Sequence, residues 1–163
     1  MPRPRHIPSR PASARRPGVA FGHPVAQAAA LDDLASHLRT TRIGLYQQQD
    51  GEPARGYLAH LAWMLGLGAE VALHTGDDAA RSLHSTLRTL VAEVCVRDGY
   101  CWRADLAGVL DEAVGHAHRL ITRHAAIALT MQPGADWLAV RIRDGLVQAS
   151  DVAGAEIYAG VRP

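Results

Sequence analysis

Between Leu58 and Leu73 only His60 and Glu70 are fully polar, with the amphipathic Trp63 between them. Wound at about 100° per residue, this run is apolar on two sides. One face holds Leu58, Leu61, Ala62, Leu65, Ala69 and Leu73, and the other holds His60, Met64, Leu67, Val71 and His74. A helix of this kind, expected over about Pro53 to His74, must sit at the centre of its domain or at a subunit interface. It is too short, and too interrupted by Glu70, to make a convincing membrane span, so no membrane partner is expected. Gly66 and Gly68 weaken the helix locally, and the expected return is close approach of a neighbouring backbone.

The rest of the chain has to supply the cover. From Ala104 to Thr130, a stripe of Leu106, Val109, Leu110, Ala113, Ala117, Leu120, Ile121, Ile127 and Ala128 predicts one long amphipathic helix, ended by Pro133-Gly134. A first helix is expected over Val25 to Gln49, with Leu31, Leu34, Ala35, Leu38, Ile43 and Tyr46 inward and Asp50-Gly51 as its stop. A third should start near Asp77, bury Ala80, Leu83, Leu87, Leu90 and Val94, and end at Asp98-Gly99. Residues 135–149 carry two patterns. Leu138, Val140 and Ile142 alternate before Asp144-Gly145 as in a hairpin, whereas Leu138, Ile142, Leu146 and Ala149 fit a helix, which the helical surroundings favour. The expected fold is mainly α: an antiparallel bundle of four to five helices over residues 25–150, with a small C-terminal hairpin as the alternative ending and an extension over 151–163.

All 17 basic residues are arginine, which excludes chemistry that needs lysine, such as a Walker A loop or a Schiff base. A GC-rich coding bias accounts for that usage. Five of these arginines precede Asp32 with no acid among them, so the body of the chain is acidic. Six of the nine prolines fall within residues 1–24, which read as a disordered basic tail, and nucleic acid is expected to meet the protein only through it. Cys95 and Cys101 lack the spacing of a zinc site, and the first thirty residues hold no apolar secretory core. A reduced, cytoplasmic protein is the expectation.

Nine histidines invite a metal reading. Bundle metal sites place Glu-x-x-His or His-x-x-x-His on one helix face, and neither occurs. His60 and His74 share a line of their helix but stand about 21 Å apart at ~1.5 Å rise per residue. A site would need one of them to meet His84, His116 or His124 from another helix; the expectation is no metal and no cofactor. Glu112 and His116 have the spacing of an ordinary helical ion pair, as do Glu70 and His74. His116, Arg119 and Arg123 lie along one edge of the long stripe and form a candidate anion site, unless Asp105 and Glu112 neutralise them.

His124 projects from the apolar stripe and reads first as a core histidine. The segment Arg119-Leu-Ile-Thr-Arg-His124 also resembles the active-site motif of the HEPN ribonucleases, small all-helical proteins. The match covers six residues, and Leu120 stands where that family usually carries a polar side chain. The resemblance implies that His124 is the acid/base catalyst and that Arg119 stabilises phosphate charge.

Weighed together, these features favour a non-enzymatic helical bundle that acts through protein contacts. Self-association as a homodimer is expected through Trp63, Met64, Leu67 and Val71 on the second face of the apolar helix. The competing account has residues 135–149 fold back over that face. The alternative function is a metal- or anion-binding bundle with hydrolytic activity centred on His116, Arg119, Arg123 and His124.

Overall fold

The computed structural model describes residues 24–152. The expected tail, and the extension beyond Val152, lie outside them. The chain forms α1 (Pro24–Gly44), α2 (Arg55–Thr75), α3 (Ala79–Thr89) running into a π-helical stretch (Leu90–Arg97), α4 (Ala107–Arg123) and α5 (Ala125–Arg143). Short 3-10 turns at Ala104–Leu106 and Ala149–Asp151 flank the last two helices. Among the described residues the only extended pairing is a single bridge between Pro53 and Cys101. The fold is a mainly-α bundle.

The apolar helix α2 is its axis. Leu58, Leu61, Leu65, Met64, Leu67 and Val71 have no exposed surface, and α1, α3, α4 and α5 all pack against it, α5 most extensively. Trp63, Met64, Leu67 and Val71, expected as an interface, are therefore core residues of the single chain. The physical reason is the account that residues 135–149 anticipated in part: α5 folds back along α2 and buries Leu138 and Ile142 with it.

That return requires a correction to the long helix. It does not run unbroken to Pro133. The backbone turns at His124 (φ −120°, ψ 42°), while His124 N–H still donates to Leu120 O at 3.0 Å and Ala128 N–H to His124 O at 2.9 Å. The axis is redirected with the hydrogen-bond ladder kept on both sides, so α4 and α5 can cover different parts of α2. Pro133 and Gly134 lie exposed inside α5, and the helix continues to Arg143. Residues 138–143 are thus helical, and no hairpin forms; Gly145 (φ 72°) makes the turn that follows.

Glycine allows a close helix–helix contact. A Cβ at Gly68 would stand 2.5 Å from Ala117 Cβ and 2.9 Å from its Cα, so α2 and α4 touch backbone to backbone there. The first helix ends earlier than expected, at Gly44, because the Tyr57 ring is seated on that glycine and its hydroxyl donates to Thr41 O at 2.9 Å. Ile43 and Tyr46, expected inside, are consequently exposed. Val109, assigned to the long stripe, is exposed as well.

The ends of the helices are tied by a clip of loop backbone. Gly51 N–H donates to Trp102 O at 2.8 Å, Trp102 N–H to Glu52 O at 2.8 Å, and Ala54 N–H to Tyr100 O at 2.9 Å. Trp102 is buried there against the edge of Tyr57. Cys95 and Cys101 are both free, and burial pushes the Cys95 thiol up to about 12.

Candidate binding groove

The sites expected from sequence lie along α4 and at its C-terminal end. His116 is half-buried, Arg119 and Arg123 are exposed, and His124 is half-buried at the α4–α5 junction. Among the described residues no hydrogen bond or ion pair joins any two of them. Arg119 reaches back one turn, its Nη1 lying 3.7 Å from where a Gly115 Cβ would stand, and so points away from His124. Among the described residues, no three of His, Cys, Asp and Glu come together closely enough to share a metal ion.

A different set of residues does converge. Where α1 and α5 flank α2, they leave an open groove of about 590 Å³. Its floor is apolar, from Leu34 on α1, Ala59 and Trp63 on α2 and Ala139 on α5. Helical spacing brings each helix's contribution to one side: Ala30, Asp33, Leu34 and His37 on α1, then Gln132, Asp136, Ala139, Val140 and Arg143 on α5.

The polar members are fixed by specific contacts. Trp63 is 6% exposed, so its indole N–H needs an acceptor, and Asp136 Oδ1 takes it at 2.9 Å across the α2–α5 seam. The His37 and His60 rings stack with centroids 5.7 Å apart and 18° between planes, and His37 also meets Trp63 at 5.5 Å. Desolvation, and then repulsion from His37, hold the His60 imidazole below its ordinary range. Asp33 and Arg143 stand at the rim, the latter paired with Asp144 at 3.2 Å.

No nucleophile with an adjacent base, and no cluster of donors aimed at one point, lies in the groove. It combines an aromatic and aliphatic floor, stacked imidazoles and charges of both signs. The sequence alone does not bring His37 on α1 and His60 on α2 together. Their meeting depends on how α1 crosses α2, which no spacing within either helix specifies.

The structure is thus a mainly-α helical bundle wrapped on one buried helix, with a groove along its α1–α2–α5 side. No protein-family model, curated protein or solved structure matches the chain.

Proposed function

We propose that this protein is a non-enzymatic binding module, and that its α1–α2–α5 groove takes a segment of a partner protein. The observation that carries this reading is the groove itself: open to solvent, apolar at the floor and edged by Asp33, His37, His60, Asp136 and Arg143. Such a lining suits a polypeptide, which offers alternating apolar side chains and polar backbone, better than a compact metabolite that needs enclosure. Val140, 42% exposed on the lip, offers apolar area that a partner would cover. The reading places the protein in the cytoplasm, where both thiols stay reduced.

Gly56 gives a clean test. It lines the groove, and a Cβ there would meet nothing within 4 Å, so Gly56→Trp should fill the groove and leave the helices in place. A photo-crosslinking residue at position 140 should capture a partner in cells, and Gly56→Trp should abolish that capture. The same probe at Val96, exposed on another part of the molecule, should capture nothing. Equal capture at both positions, or capture that persists in Gly56→Trp, would contradict the assignment.

A further inference from the structure

The face of α1 turned away from the groove carries Arg39 and Arg42, one helical turn apart. Across from them α4 presents Gly115, His118 and Arg119, again at one-turn spacing. The two helices bring their guanidinium groups to one place. A Cβ on Gly115 would stand 3.6 Å from Arg42 Nη2 and 3.7 Å from Arg119 Nη1, so both side chains lie over the same bare patch of helix backbone. Arg39 lies one turn before Arg42 on the same helix, and burial first, then Arg42, Arg119 and Arg39, hold His118 below the ordinary imidazole range.

Little negative charge answers this cluster. Asp111 is the carboxylate at its edge, and it is already engaged: Arg42 Nε approaches it at 3.7 Å and the Tyr46 hydroxyl donates to it at 2.9 Å. Arg39 and Arg119 have no carboxylate partner among the described residues. Cations gathered this way repel one another until an anion enters between them.

We propose that Arg39, Arg42, His118 and Arg119 form a site for the phosphate group of a small phosphorylated ligand, with Gly115 as its floor. A carboxylate is satisfied by one forked arginine, whereas a phosphate offers oxygens on several sides and uses donors arriving from two helices. Gly115 fits this role. Its backbone is not left-handed and the atoms nearest to a Cβ there would be the two guanidinium groups, so alanine would be the better helix former. Glycine keeps open the space beneath the guanidinium groups. A long polyanion suits the site less well, because Asp111 closes one end of it.

The probe is inorganic pyrophosphate, titrated into the full chain at low ionic strength and followed by NMR. The Gly115 amide and the His118 ring signals should shift together. Arg119→Gln should weaken binding about tenfold, as loss of one charge-assisted contact does. Gly115→Glu should weaken it at least as much by placing a carboxylate between Arg42 and Arg119. If Gly115→Glu fails to fold, Arg119→Gln, at an exposed position, decides alone. Shifts confined to the arginines of residues 3–16, or unchanged affinity in Arg119→Gln, would overturn the site. So would binding of a single-stranded RNA oligonucleotide that pyrophosphate cannot displace.

Discussion

Three histidines, the half-buried His84 and His118 and the more exposed His60 at the groove, give the single residues of this bundle a collective effect on its stability. Burial, then His37, holds His60 low; burial holds His84 low against the opposing pull of Glu70; burial and three arginines hold His118 low. His84 adds a further reason to stay neutral, since its Nε2 is buried with no hydrogen-bond partner. In each case the folded pKa lies below the unfolded value, roughly 6.5. As pH falls the unfolded chain therefore takes up protons first. The contribution is fully present above the unfolded value and is lost as pH drops through it towards the folded values. Urea denaturation between about pH 7.5 and pH 5.5 should show the midpoint falling with acid. A combined His60→Gln and His118→Gln variant should flatten that slope. A wild-type midpoint independent of pH across the window would show that these rings are as hydrated as in the unfolded chain.

At the scale of the elements, Leu67→Glu is the most direct test of where α2 sits. Leu67 has no exposed surface, so a carboxylate there loses the ~1.5–3 kcal/mol of burying leucine and adds the cost of an unpaired buried charge. Circular dichroism should show an unfolded or severely destabilised chain. A folded variant with a smaller mass in solution would instead return this face to a subunit interface. The apolar periodicity of α2, α3 and α4 was readable from the chain because each stripe is local and sums over several turns. What it could not carry was the direction of a helix after a bend. His124 keeps its ladder bonds on both sides, so nothing in the pattern from Leu120 to Ala128 marks a change of axis. Pro133 looked like a terminator because a proline lacks the N–H that an inner turn uses, yet α5 accommodates it on an exposed face. Groupings of side chains across helices were hidden for the same reason. Arg119 was singled out, but its companions Arg39, Arg42 and His118 were not, because two of them lie on a helix some 75 residues earlier in the chain. A pair of arginines at i, i+3 on α1 was the one local signal available for that cluster.

For the molecule as a whole, the loop clip joins segments that are distant in sequence. Its amides belong to loops, but their bonds can open only if residues 51–54 part from residues 100–102. Native-state hydrogen exchange should therefore find Gly51, Ala54 and Trp102 protected alongside α2, not with the surface turns. Exchange of these three at the rate of the turn around Gly145 would show the clip to be independent of the core. The burial of α2 by α5 carries a consequence for the order in which the protein is made. A ribosome delivers α2 early, and the segment that covers it most extensively comes last, after α3 and α4 have emerged. At ~5–20 residues per second, the nascent chain spends on the order of several seconds with that helix unsheltered. By length and composition alone that helix, against the expectation from its sequence, meets the requirements of a membrane span, as the core helix of a bundle can. The hazard that the finished fold removes is thus greatest during translation, and whatever shields emerging chains in the cell has this one helix to hold until Ile142 arrives.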